Sequence, residues 1–197
     1  MQFAREARVL GDPNRTFREM AASPQRDVWT LIRRPLLLAF AMGLLLSLES
    51  SARLSLRTVV DGMISFAFLP LVEILAVGAI YLRTDRRLPF ARVVDAFFVS
   101  NSPWLLWILG FCLWRIPRTA VENSTFAFST VIVILLTMLV PICWSAYLDL
   151  LFFRIVLPRR ARSAAMDLGT ARAIGWVGGL GYFLGIAVWA QAVAWMR

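Results

Sequence analysis

The chain contains no histidine, no lysine and only two cysteines. Without histidine, histidine-ligated haem, the common zinc sites and a histidine-based catalytic triad are excluded. Cys112 and Cys143 lie in apolar segments, so we expect two small core residues and no disulfide framework. Walker-type glycine loops and the GxGxxG, HExxH and GxSxG motifs are also absent. These absences favour a non-enzymatic protein without a metal or other cofactor.

Charged residues are scarce, at 17% of the chain, whereas soluble domains carry about a quarter. The sequence is 59% hydrophobic, and its mean hydropathy is +0.69. This composition predicts an all-α polytopic membrane bundle. The net charge of +9 would suggest nucleic acid in a soluble protein. Here the arginines flank apolar segments, so we interpret them as topology signals and contacts for anionic lipid headgroups, with no nucleic-acid partner.

Five apolar segments approach the roughly 20 residues that a helix needs to cross a bilayer. The predicted spans cover about 35–52, 59–82, 93–114, 126–157 and 173–196. Residues 1–34 form a polar N-terminal segment, and 35–197 form the transmembrane domain. The first span is short and could instead be a re-entrant or interfacial helix.

The distribution of arginine favours five crossings. With five spans, 16 arginines fall on the side of the N-terminus and 5 on the other side. If the first segment did not cross, its seven preceding arginines would join the poorer side and the asymmetry would vanish. The positive-inside rule therefore predicts a cytoplasmic N-terminus and a periplasmic C-terminus in a bacterial inner membrane.

Within the N-terminal segment, the sequence predicts a short amphipathic helix. Asp12 can cap it, and Pro13 suits its first position. Phe17 and Met20 fall on one face. Such a helix can lie in the headgroup plane or bind a partner, and the alternative is a solvated tail that only sets topology.

Polar side chains within the spans define a candidate site. Their depth can be counted from the span ends on the membrane side where the N-terminus lies. Several of these side chains are then at a similar depth of roughly 12–14 Å. This polar layer contains Glu73, Asn101, Ser102, Asp149 and Tyr182. Arg154 could also reach Asp149. The layer is either a proton- or ion-linked site or a set of interhelical hydrogen bonds that fixes packing.

Two further groups of residues complete the sequence-based predictions. The first is expected to contact lipid headgroups or a protein partner, and comprises Arg15, Arg18, Arg33, Arg34, Arg86, Arg87, Arg159 and Arg160. The second forms two GxxxG steps that are expected to pack helices closely, and comprises Gly175, Gly179, Gly181 and Gly185.

Three segments carry a family resemblance: PNRTFREMAASP before the first span, FFVSNSPWLLWILG in the third and YLDLLFF in the fourth. With the five-span order, they make the chain similar to bacterial members of the Yip-type (Ypt-interacting protein) superfamily. The resemblance implies a cytoplasmic N-terminus, a non-enzymatic role in membrane organisation and frequent oligomerisation. Arg33, Arg34 and Pro35 stand where eukaryotic members carry an Asp-Leu-Tyr-Gly-Pro motif.

Two functions fit these features, and the first of them is the one that we expect from the sequence. The first is a scaffold or accessory subunit of a membrane complex, which would bind anionic lipids and a protein partner or a second copy of the chain. The second is a small proton- or ion-linked transporter or channel that uses the polar layer.

The five-span topology predicts the outcome of a reporter fusion. A reporter that is active only in the cytoplasm should be inactive when fused to the C-terminus, because five crossings place that end in the periplasm. Strong activity of the C-terminal fusion would contradict the topology.

Overall fold

A computed structural model describes residues 8–22, 29–51, 54–84, 88–119 and 128–195, and it confirms the all-α prediction. Within these residues the main helices are α1 (Pro13–Ala22), α2 (Trp29–Ser51), α3 (Leu56–Phe66), α4 (Phe68–Tyr81), α5 (Phe90–Val99), α6 (Ser102–Thr119), α7 (Phe128–Ile155) and α8 (Ala161–Trp195).

Three of the described segments are long and apolar enough to cross a membrane. They are Leu31–Leu48, Leu56–Tyr81 and Ile132–Ile155. The pair formed by α5 and α6 would be a fourth crossing if it counts as one span, although it bends by 48°. The predicted span over 173–196 falls on α8, where several side chains beyond residue 186 lie outside the description, so it stays a prediction.

Helix α5 lies at the centre of the bundle. Every residue from Val93 to Val99 is buried, and the helix packs against α1, α2, α4 and α7. Edge-to-face contacts join Phe97 and Phe152, whose ring centroids lie 5.4 Å apart. At one end of the bundle, α2 and α5 begin and α4 and α7 end. We call it the arginine-rich end.

The amphipathic helix α1 caps this end. The amide of Arg15 donates to Asp12 Oδ1 at 3.1 Å, which agrees with the predicted cap. Phe17 and Met20 are buried, and the Phe17 ring lies 6.3 Å from that of Phe152. Helices of the same chain therefore cover the apolar face of α1, so this face is not free to contact lipid or a partner. The position of the helix in the headgroup plane stays a prediction.

Two of the breaks between helices follow from proline. Pro70 and Pro103 each lack the amide hydrogen that would bond four residues back, and each ring crowds that carbonyl. Helix α3 accordingly ends before Ala67, and α5 ends before Ser100. Pro141 does not interrupt its helix, since α7 continues through it without a break.

Close contact between α2 and α3 depends on two glycines. A Cβ at Gly43 would meet the Val59 carbonyl oxygen and lie 2.9 Å from Met63 Cγ, and a Cβ at Gly62 would lie 2.9 Å from the Cα of Gly43. Ser47 and Thr58 add a hydroxyl–hydroxyl hydrogen bond of 2.7 Å between the same helices. Of the two cysteines, Cys112 is buried as expected, whereas Cys143 is exposed.

Gly43→Ala should destabilise the bundle by about 1–3 kcal/mol, because the added methyl group forces α2 and α3 apart. The free energy of unfolding in mixed detergent micelles measures the effect. Gly110→Ala in α6 is the matched control, since its Cβ would meet no atom within 4 Å. Equal stability of the two variants would contradict the proposed contact.

Candidate functional site

The break between α5 and α6 places three polar residues in the core. Ser100, Asn101 and Ser102 are all buried. The hydroxyl of Ser102 donates to the Val99 carbonyl at 2.7 Å, which is the carbonyl that Pro103 leaves without an amide partner. Local hydroxyls thus satisfy the backbone at the break, as a chain inside a membrane requires.

Asp149 lies beside this break. Its carboxylate is buried, accepts a hydrogen bond from the Ser100 hydroxyl and forms an ion pair with Arg172 of α8. Ser145 lies one turn earlier on the same face of α7. Its hydroxyl is fully buried and has no hydrogen-bond partner among the described residues, so the site includes a polar atom that could bind water or an ion.

Glu73 of α4 approaches the same break from the other side. Its Oε2 accepts a hydrogen bond of 2.8 Å from the Asn101 side-chain amide. Both Arg172 and Asp149 are close enough to act on it electrostatically. We call Glu73, Ser100, Asn101, Asp149 and Arg172 the break cluster.

The break cluster contains more acid than base. Two carboxyl groups, Glu73 and Asp149, face one guanidinium, that of Arg172. With all three ionised, their net charge is −1. Arg172 is ion-paired with Asp149, whereas the direct hydrogen bond described for Glu73 comes from a neutral amide. A partly buried carboxylate that shares one guanidinium with a second acid is costly to ionise, so Glu73 either keeps a proton or recruits a cation.

A cavity of about 400 Å³ opens between α4 and α8. Glu73 and Arg172 contribute polar groups to its wall. The other lining residues are mostly apolar, and they are Phe68, Leu69, Val72, Ala76, Phe97, Ala171, Gly175, Trp176, Gly179, Leu180 and Phe183. Its volume is in the range of small-molecule sites.

The predicted glycine contacts are corrected by the structure. A Cβ at Gly175, Gly181 or Gly185 would meet no atom within 4 Å, and one at Gly179 would only touch Phe68 at 4.0 Å. Gly178 makes the close approach instead, since its Cβ would lie 2.8 Å from Val72 Cγ1. Gly175 and Gly179 line the cavity.

The structure brings together part of the predicted polar layer. Glu73, Asn101 and Asp149 meet at the break, with Ser102 buried beside them. Tyr182 does not contribute to the cluster: its hydroxyl donates to the Ser65 carbonyl at 2.8 Å, and its ring stacks on Phe68 with centroids 3.9 Å apart. These contacts lie at the junction of α3 and α4.

Arg172 and Ser100 were missed by the sequence-based site. Arg154 was considered as the partner of Asp149, but it is exposed, and Arg172 takes that place. The sequence does point to Arg172, because this residue lies directly before the predicted fifth span. Ser100 directly precedes Asn101, which had already been selected.

A second buried charge cluster lies nearer the arginine-rich end. Arg33 donates to both carboxylate oxygens of Asp95, at 2.9 and 3.0 Å from Nη2. Arg34 is 4% exposed, forms an ion pair with the same carboxylate and donates to the Asp95 carbonyl at 3.0 Å. The prediction that Arg33 and Arg34 contact lipid headgroups is therefore corrected, because Asp95 engages both guanidinium groups inside the protein.

The remaining arginines of that prediction have different environments. Arg15, Arg18 and Arg160 are exposed, and a hydrogen bond with Glu19 raises the pKa of Arg15. Arg159 is half-buried and lies 3.3 Å from Asp167. Arg86 and Arg87 lie outside the described residues.

Comparison with known proteins does not assign the site. No family model, no curated protein and no solved structure matches the chain. The Yip-type resemblance stays a prediction. Among the described residues, no group of three or more histidine, cysteine, aspartate or glutamate side chains is placed to hold a metal ion.

Asp95→Asn should destabilise the protein by roughly 3–5 kcal/mol, because the guanidinium groups of Arg33 and Arg34 both lose their ion pair with this buried carboxylate. Unfolding in mixed micelles measures this loss. Asp61→Asn is the control, since Asp61 is exposed and lies 3.9 Å from the exposed Arg57. A similar small effect of both substitutions would show that the Asp95 pair is not structurally important.

Proposed function

We propose that the chain is a five-span, non-enzymatic protein of a bacterial inner membrane, with its N-terminus in the cytoplasm and its C-terminus in the periplasm. The arginine asymmetry supports this topology. The length of α8 is compatible with it, since 35 helical residues extend over about 52 Å and a bilayer core is about 30 Å thick.

We further propose that the protein is a small proton- or ion-linked transporter whose exchange site is the break cluster. The observation that carries this proposal is the excess of one carboxyl group at a helix break that adjoins a cavity. Ionisable residues inside membrane helices are costly and mark ion or proton pathways. Interrupted helices that place polar groups in the core are a recurring feature of transporter binding sites.

Glu73 is the group best suited to exchange a proton. It lines the cavity, whereas Asp149 is buried beyond the cavity wall and paired with Arg172. The groups that face Glu73 are Arg172 from α8, Asp149 from α7 and Asn101 from the break. Asn101 can hydrogen-bond to either protonation state of the acid, since an amide offers both a donor and an acceptor.

A second function, a Yip-like scaffold or accessory subunit in membrane organisation, is favoured by the exposed charges of the arginine-rich end. Arg15, Arg18 and Arg160 are available there for anionic headgroups, a protein partner or a second copy of the chain. Recovery of a stoichiometric partner after mild detergent extraction would support this role. Purification of the chain alone with proton flux would support the transporter.

Glu73→Gln should abolish proton flux, because glutamine keeps a hydrogen-bonding side chain but cannot release a proton. The measurement uses proteoliposomes with an internal pH-sensitive dye and an imposed potassium diffusion potential. When the lumen is made electrically negative, wild-type protein should acidify it faster than occurs in protein-free liposomes.

Asp61→Asn is the matched control, since it removes an exposed carboxylate of α3 and should retain wild-type flux. The transporter proposal fails if the wild-type protein gives no flux above protein-free liposomes. It also fails if Glu73→Gln conducts as well as Asp61→Asn.

A further inference from the structure

The lining of the α4–α8 cavity combines aromatic rings with one acid, Glu73, for which no ion pair is found among the described residues. Phe68, Phe97, Trp176 and Phe183 contribute rings, and Glu73 contributes its carboxyl group. Aromatic faces attract cations, most strongly where water is excluded. Trp176 is 77% exposed, so the cavity is open along the outer face of α8.

We infer that this cavity binds a lipophilic organic cation, whose charge replaces the proton on Glu73. The inference rests on the proposed function and names the class of its substrate. When the cation enters, Glu73 releases one proton and the carboxylate pairs with the cation. The net charge of the occupied site is then the same as that of the empty, protonated site, so the exchange leaves no uncompensated buried charge.

The existing ion pair decides the sign of the ligand's charge. Arg172 also lines the cavity, but its guanidinium is paired with Asp149. This guanidinium already faces two carboxyl groups, since Glu73 also lies close enough to act on it electrostatically. An anion would therefore be the third acid beside a single base, and the carboxylates would repel it. A cation instead balances the excess carboxyl group, which is that of Glu73.

Glycine keeps the cavity open. Gly175 and Gly179 lie one turn apart on the α8 wall, and a Cβ at Gly175 would meet no atom within 4 Å. A Cβ at position 175 therefore has free space, and the rest of a leucine side chain there would occupy part of the cavity. Gly181 offers a matched control on the same helix, since its Cβ would also meet no atom within 4 Å and it does not line the cavity.

The test compares two probes of the same shape and opposite charge, tetraphenylphosphonium and tetraphenylborate, binding to the full chain in an uncharged detergent. Neither probe titrates, so any pH dependence belongs to the protein. Tetraphenylphosphonium should bind saturably and release a proton. Its affinity should fall as the pH is lowered, because protons compete for Glu73.

Both Glu73→Gln and Gly175→Leu should weaken tetraphenylphosphonium binding by at least about 10-fold, the scale of one lost charge-assisted contact. Gly181→Leu should bind as the wild-type protein does. In Glu73→Gln any residual binding should no longer depend on pH.

Three results would overturn the inference: no saturable tetraphenylphosphonium binding to the wild-type protein, equally tight binding of tetraphenylborate, or equal loss of affinity in Gly175→Leu and Gly181→Leu. The first two need no variant, so they hold even if a substitution impairs folding. Proton flux that depends on Glu73 without cation binding would refute this inference alone. Cation binding that releases no proton would overturn the exchange inferred here. Proton flux that is unchanged in Glu73→Gln would refute the proton-linked function.

Discussion

Pro103 cannot donate a hydrogen bond to the Val99 carbonyl, and the centre of the bundle is arranged around this missing bond. The helix ends at Val99, bends by 48° and starts again at Ser102. The hydroxyl of Ser102 satisfies the free carbonyl, and Ser100 and Asn101 project polar groups toward α7 and α4. Two consecutive residues at the break thus contact two different helices: Ser100 bonds to Asp149 and Asn101 bonds to Glu73.

Two charge clusters lie along α5 and the break that follows it. Near the arginine-rich end, Arg33 and Arg34 both pair with Asp95. At the break, Glu73 and Asp149 face Arg172, and these three groups have a net charge of −1 when all are ionised. Buried ion pairs of this kind add little to stability compared with apolar packing, but removing one partner is costly. They therefore fix α5 relative to α2, and the break after α5 relative to α4 and α7.

The candidate site depends on the absence of side chains as much as on the charges. Gly178 lets α8 approach Val72 of α4, while Gly175 and Gly179 leave open space beside that contact. One glycine-rich segment thus joins two helices and also keeps a cavity between them. Glu73 lies in the wall of this cavity, so its partly buried carboxyl group is accessible from the cavity. Proton exchange and cation binding would then use the same carboxyl group.

Local features of this protein follow from the sequence alone. The length of the hydrophobic runs predicts the helices, and Asp12 and Pro13 predict the start of α1. A count of residues from the span ends places Glu73, Asn101 and Asp149 at one depth. Depth does not specify which way a side chain points around its helix. Only the tertiary structure decides that Arg172 rather than Arg154 meets Asp149, that Tyr182 contacts Ser65 rather than the break, that Gly178 makes the close contact, and that Arg33 and Arg34 point inward to Asp95. Each of these depends on the rotation and offset of helices far apart in sequence, which are set by packing and charge pairing between them rather than by any local pattern.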